Sequence, residues 1–254
     1  MSTSASERPS RRSQDDLLRT SRSGARTAVV WSALQPALAE APRDVLDIGG
    51  GTGGFAVRVA GLGHRVTVVD PSPDALASLD RRAREQGVAV DGQQGDLSTL
   101  LDLTGPASAD LVLCHGVLEV VDDPAASLAT LARVLRPGGV LSLLVAQRYA
   151  AVVARAMAGH FQQALALLGQ TGPTGPQGRS GRRFTHDETT ALLTGAGFTV
   201  DAAHGIRVFA DLVPGSLLDL EPGAGAALVE LEQAVAERPE YLPLATQLHL
   251  LAHV

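Results

Sequence analysis

The chain has 254 residues, 45% of them apolar and 19% charged, proportions of a globular protein long enough to bury a sizeable core. Its single cysteine, Cys114, excludes an internal disulfide, and no apolar run approaches the ~18 residues of a membrane-spanning helix. With neither feature a cytoplasmic protein without a membrane partner is expected, and the net charge of −6 argues mildly against non-specific nucleic-acid binding.

The first residues, "MSTSASERPSRRSQDD", carry arginines without a following apolar stretch. No signal peptide is expected, and 1–24 reads as a disordered basic tail. A helix is predicted from Ala25 to Leu38. "DVLDIG" reads as a strand feeding the glycine run "GGGTGG", and "GFAVRVA" as a helix stopped by Gly61. "HRVTVVD" is a buried strand ending in Asp70. "SPDALASLDRRAREQG" is a helix capped by Ser72, with Pro73 in its first turn. "VAVDGQQGD" and "ADLVLCHG" give two more strands. "DPAASLATLARVLRPGG" gives a helix closed by Pro-Gly-Gly, and "GVLSLLVAQ" a fifth strand. "YAAVVARAMAGHFQQALALL" then reads as one apolar helix, core or lid, and "GQTGPTGPQGRSGRR" as a mobile Gly/Pro-rich loop over the acceptor pocket, open to protease at Arg179, Arg182 or Arg183. "THDETTALLTGAGFTV" restores helix and strand, a helix follows near Gly225–Glu237, and "TQLHLLAHV" ends the pattern. Alternating apolar strands and helices argue for an α/β fold with a parallel sheet covered on both faces.

The run "VLDIGGGTGGF" fits two ligand loops, the dinucleotide-binding Gly-x-Gly-x-x-Gly and the Asp-x-Gly-x-Gly of S-adenosylmethionine enzymes. Asp70, ending the next strand, can accept hydrogen bonds from both hydroxyls of a ribose in either case. Asp47 separates them. A carboxylate there suits a cationic amino group and repels a pyrophosphate. "QGD" at 94–96 sits where an adenine can be read, and the Arg-Pro-Gly-Gly turn before an apolar strand is unusual in dehydrogenases.

With these signals the chain resembles the class I S-adenosylmethionine-dependent methyltransferases from about Arg26 onward. The resemblance implies a Rossmann-like, seven-stranded, mostly parallel sheet with the last strand antiparallel. It implies one domain over 25–254, with a helical and loop insertion at about 148–184, and S-adenosyl-L-methionine as cofactor. A closer similarity, in "CHGVLEVVDDPAASLATLARVLRPGGVLSLLV", "MAGHF" and "HGIRVFADLV", is to the tRNA 5-carboxymethoxyuridine methyltransferases, which esterify a modified wobble uridine. On that pattern Arg26 contacts the cofactor carboxylate. Asp47, Gly49, Gly50 and Gly51 surround its methionine part, and Asp70 binds ribose. Gln94, Gly95 and Asp96 flank adenine, and His115 lines the pocket. The acceptor is then a tRNA anticodon or an anionic small molecule.

A carboxylate acceptor needs no general base, so the catalytic candidates are few. Arg207 in "GIRVF" can hold an anionic acceptor, and His115 is the nearest base for a hydroxyl or ring nitrogen. The plainer alternatives are that Asp70 caps the following helix, that His115 is a core histidine, that Arg207 snorkels at the surface and that the acids of 211–240 are a solvated face. Glu119 is assigned no role. His64, His204, His249 and His253 show no metal-ligand spacing. A small-molecule methyltransferase and a non-catalytic cofactor-binding protein are the alternative functions.

Overall fold

A computed structural model describes residues 24–39, 42–169, 181–218 and 222–254. Seven strands form one sheet: β1 Asp44–Ile48, β2 Arg65–Asp70, β3 Asp91–Gln94, β4 Ala109–His115, β5 Leu135–Ala146, β6 Thr199–Ile206 and β7 Gln247–His253. Their order is β3-β2-β1-β4-β5-β7-β6, and β7 is antiparallel to both of its neighbours. All other pairings are parallel.

The central strands β1 and β4 and the second half of β5 are buried on both faces because most of their side chains are apolar, whereas β3 at the edge is polar and largely exposed. In β4, Leu111 and Leu113 face one core cluster, while Val112 and Cys114 face the other. The first cluster is closed by α1 (24–34), α2 (Gly54–Ala60) and α3 (Pro73–Glu85), through Val30, Leu34, Val57 and Leu79. The second is closed by α4 (Leu100–Thr104), α5 (Pro124–Val134) and α8 (His186–Gly195), through Leu100, Leu128, Leu131 and Leu193. Helix starts follow the capping rules. Ser72 Oγ accepts from Ala75 N, Asp123 Oδ1 accepts from Ala126 N, and Thr185 with Glu188 forms a reciprocal capping box on α8.

Three sequence expectations change. The apolar helix after β5 is two helices, α6 (Arg148–Met157) and α7 (Phe161–Leu168), separated by Gly159 at φ 75°. That left-handed residue ends α6 and turns the chain, as glycine does at helix ends. Met157 and Phe161 flank the break and are largely exposed, so neither belongs to the core. The first helix stops at 34, before a 3-10 turn at Pro36–Leu38. Helix α5 ends at Val134, since Leu135 is already extended, and Pro-Gly-Gly lies beyond it. Arg136 of that turn bridges Asp44 and Asp110 at 2.9 and 2.8 Å, tying together the starts of β1 and β4. The Gly/Pro-rich stretch 170–180, with Arg179, and the tail 1–23 lie outside the described residues. Two further helices, α9 (Gly215–Leu218) and α10 (Ala224–Val235), complete the chain before a 3-10 turn at Pro239–Leu244 and β7.

Candidate active site

At the carboxyl end of β1 the chain reverses through Gly49, Gly51 and Gly53, at φ 65°, 56° and 77°. Only glycine takes this conformation without strain. Space demands it as well: a Cβ on Gly49 would stand 2.7 Å from Val117 Cγ2, and one on Gly50 2.6 Å from Asp47 Oδ2. Helix α2 starts immediately after the loop, at Gly54. Asp70 fastens the loop from β2: one carboxylate oxygen accepts from Gly51 N and the other from Ser72 N, both at 2.9 Å. Each oxygen keeps a further lone pair. The plain capping reading of Asp70 is half right, because Ser72 supplies the α3 cap while Asp70 holds its backbone.

Gly49 and Asp70 border a cavity of about 650 Å³, lined also by Gly95, Asp96, His115 and Val117 among others, while Gly50, Gly51 and Asp47 are not among its lining residues. Its volume suits a nucleoside-sized ligand. It lies outside the carboxyl ends of β1, β2, β3 and β4, where the strand order reverses, the position at which open α/β sheets bind ligands. Asp96 Oδ1 accepts from Ser98 N and Ser98 Oγ, and these bonds hold its carboxyl below the usual range. Gln94 is not on the cavity wall; its amide is exposed and donates to Pro71 O at 3.3 Å. His115 donates or accepts at Nε2 with Ser142 Oγ, 2.8 Å away, and stacks edge-on with Phe55. Burial, reinforced by the charge of Arg26, pushes its pKa down to about 3. It is neutral near pH 7 and a weak base.

Behind the glycine loop stands a charged cluster. Asp47 is buried, and desolvation, then the charge of Asp70, raises its pKa to about 7 against the pull of Arg26. Arg26, from α1, is lowered by burial and then by Arg207, and supported by Glu119 and Asp47. The Nε atoms of Arg26 and Arg207 are both buried without a hydrogen-bond partner. Arg207 occupies left-handed backbone at φ 57° and reaches Asp211 at 3.2 Å. It is not a snorkelling surface arginine. A second cavity, of about 560 Å³, opens beside Asp211 between α6 and the start of β7; Arg155, Arg183, Val208 and Leu244 are among its lining residues.

Several functional-looking residues gave no sequence signal. Glu119, assigned nothing, is buried, accepts from Ala146 N at 2.7 Å, and leaves Oε2 without a partner; burial raises its pKa. Arg182, expected in an open loop, is 4% exposed and donates to Val121 O at 2.8 Å and Asp122 O at 3.3 Å. Glu232, inside the supposed solvated acidic face, is fully buried and accepts from the backbone N–H groups of Val208, Phe209 and Ala210. All three depend on contacts across more than twenty residues of chain, which no local pattern encodes.

The fold and the glycine loop fastened by Asp70 are those of an S-adenosylmethionine-dependent methyltransferase, and the chain belongs to that class I family. A methyltransferase-domain family model matches residues 46–143. At the finer level, the chain is 32% identical to the tRNA 5-carboxymethoxyuridine methyltransferase of Escherichia coli O157:H7, and 31% identical to that of strain K12, each over 92% of this chain and 89% of the relative. A ubiquinone biosynthesis O-methyltransferase of Xanthomonas euvesicatoria is 37% identical over 45% of this chain and 48% of its own length. Among solved structures, the 1,6-didemethyltoxoflavin N1-methyltransferase of Burkholderia thailandensis, with S-adenosylhomocysteine bound, superposes with a TM-score of 0.55 at 22% identity. That likeness covers 98% of this chain and 92% of the other. The cofactor is S-adenosylmethionine, and the residues fit it: Gly49 leaves bare backbone on the cavity wall, where a Cβ would collide with Val117, and Asp70 retains acceptor capacity.

Proposed function

We propose that this methyltransferase esterifies a carboxylate, and that the carboxylate belongs to a modified uridine at the wobble position of tRNA. The observation that carries the reading is the Arg26–Arg207 pair: the charge of Arg207 adds to burial in lowering the pKa of Arg26, and the buried Nε donors of both lack partners. Such a pair is relieved by anions. Arg26 lies beside Asp47, at the methionine end of the cofactor, and is suited to its carboxylate. Arg207 pairs with Asp211, which lines the second cavity, and is suited to the acceptor. The similarity to the tRNA enzymes over nearly the whole chain supports the substrate.

When bound, the cofactor supplies a methyl group activated by its sulfonium. The chain's part is alignment and exclusion of water. The glycine loop and Asp70 fix one reactant and Arg207 the other. Neutral His115 has too low a pKa to draw a proton from a hydroxyl, whereas an ionised carboxylate has none to lose. A small-molecule acceptor is the second reading, favoured by the apolar lining that Val153, Met157, Leu212 and Leu244 give the second cavity.

Arg207→Ala tests the arrangement. Acceptor kcat/KM should fall by about 2–4 kcal/mol of transition-state binding while S-adenosylmethionine affinity stays nearly constant. The wild-type rate should be flat from about pH 6 to 8. Loss of cofactor affinity with an unchanged acceptor KM would reassign Arg207, and a kcat rising through that range would mean an acceptor that must lose a proton.

A further inference from the structure

A row of polar side chains crosses the buried face of the sheet from the cofactor cavity to the surface. His115 Nε2 lies 2.8 Å from Ser142 Oγ, and Ser142 Oγ lies 2.8 Å from His249 Nε2. His249 Nδ1 meets His204 Nδ1 at 3.3 Å, and His204 Nε2 meets Glu237 Oε1 at 3.4 Å. Strand register makes the row. His115 and His249 both stand opposite Leu144 of β5, one on each side, and His204 stands opposite His249. Ser142, His249 and His204 are buried, while the Glu237 side chain is 79% exposed.

The donors in this row can be assigned from one end. Glu237 is an exposed carboxylate and only accepts, so His204 carries its proton on Nε2. A neutral His204 then offers a lone pair at Nδ1, and His249 must donate from its own Nδ1. His249 Nε2 is left as an acceptor, so the Ser142 hydroxyl donates to it. Ser142 Oγ therefore accepts from His115, whose proton is on Nε2. The remaining nitrogen of His115, Nδ1, keeps its lone pair, and His115 lines the cavity. We propose that Ser142, His249, His204 and Glu237 are positioning residues that fix this tautomer, so that at neutral pH His115 presents an acceptor and not a donor to the bound cofactor. The inference rests on the cofactor cavity alone, and the identity of the methyl acceptor does not enter.

The neighbours are compatible. Arg26 is the charged group acting on His115, and Phe55 covers its ring. The titratable neighbours of His249 are His115 and His204; His204 is acted on by Glu237 and by a hydrogen bond to the His249 backbone, both of which favour its protonated form. Burial lowers the pKa of all three histidines, so the neutral row persists at neutral pH.

Protonating His204 reverses the row. With both its nitrogens donating, His249 must accept at Nδ1 and donate from Nε2. Ser142 then donates to His115 Nε2, and the His115 proton moves to Nδ1, one proton being added overall. The test is long-range proton–nitrogen correlation NMR on the full chain labelled with ¹⁵N-histidine, with and without S-adenosylmethionine. At neutral pH the protonated atoms should be His115 Nε2, His249 Nδ1 and His204 Nε2; a proton on His249 Nε2 overturns the proposal. On acidification His115 should change tautomer with the midpoint of His204. Glu237→Gln, a surface change, should move both midpoints down together. Ser142→Ala should uncouple them and weaken cofactor binding roughly tenfold, the scale of one neutral hydrogen bond, with Ser142→Thr restoring both. A His115 tautomer indifferent to His204, in the wild type or in Glu237→Gln, overturns it even where Ser142→Ala does not fold.

Discussion

Asp47 lies beneath the glycine loop as a buried carboxyl poised at about pH 7, raised first by desolvation and then by Asp70. A ligand ammonium placed beside it would favour the charged form and draw that pKa down. Cofactor binding near pH 7 should therefore release a proton from Asp47. Affinity should rise with pH toward 7 and level off above it. Calorimetry in two buffers of different ionisation enthalpy measures the release, and in Asp47→Asn the Asp47 component should vanish; a wild-type value matching the variant would separate Asp47 from the ammonium. Asp70→Ala should weaken S-adenosylmethionine binding by about 2–3 kcal/mol, the scale of hydrogen bonds to a charged group. Unchanged affinity in that variant would remove Asp70 from the ribose. The placement of both aspartates against the glycine loop was legible in the sequence because it is local, two residues before a glycine run and at the end of the next strand. Glu119 was not. Its partner, Ala146 N, arrives from β5, and only the fold brings the two within 2.7 Å.

At the scale of elements, α10 shows how a helix is anchored by a polar side chain. Glu232 projects from its buried face between Leu228 and Val235 and accepts three consecutive backbone N–H groups at 2.7–2.9 Å. Those groups belong to 208–210, directly after Arg207, so the carboxylate also sets the left-handed turn that aims Arg207. Glu232→Ala should cost about 3 kcal/mol of stability, because the buried donors it serves would be left unsatisfied. Urea denaturation checks this, and acceptor KM should rise with it. A variant of wild-type stability would show that solvent replaces the carboxylate. The strands and most helices could be read from periodicity and caps, since both are local. The α6–α7 break could not, because one glycine, Gly159, in a mostly apolar run does not reveal whether it ends the helix. The Arg-Pro-Gly-Gly signature marked the family correctly, yet it acts at the amino ends of the strands, away from the cavity, through Arg136.

For the whole molecule, the charge states of buried groups set a pH dependence of stability. His115, His204 and His249 are depressed by burial, so the unfolded chain binds more protons than the folded one below the ordinary imidazole value of ~6.5. Their contribution is full above that pH and is lost as the pH falls. Asp47 and Glu119, raised by burial, act in the opposite sense: their contribution is full below the ordinary carboxylate range and is lost as pH rises, for Asp47 through about 7. Below ~4 the lowered Asp44, Asp96 and Asp110 join the histidines. Three histidines against two carboxyls predict a urea midpoint that drops from pH 7 to pH 5, more steeply in Asp47→Asn. A midpoint that rises over that range would contradict the neutral histidine row.

The acceptor is tested most directly by incubating the purified protein with S-adenosylmethionine and tRNA that carries the free carboxymethoxy group at its wobble uridine, then digesting the tRNA and weighing its nucleosides by mass spectrometry. Conversion of the carboxylate nucleoside to its methyl ester, abolished or strongly slowed in Arg207→Ala, is the predicted result. Recovery of the carboxylate unchanged, from a protein that binds S-adenosylmethionine and methylates a small hydroxylated or nitrogen acceptor, would contradict it.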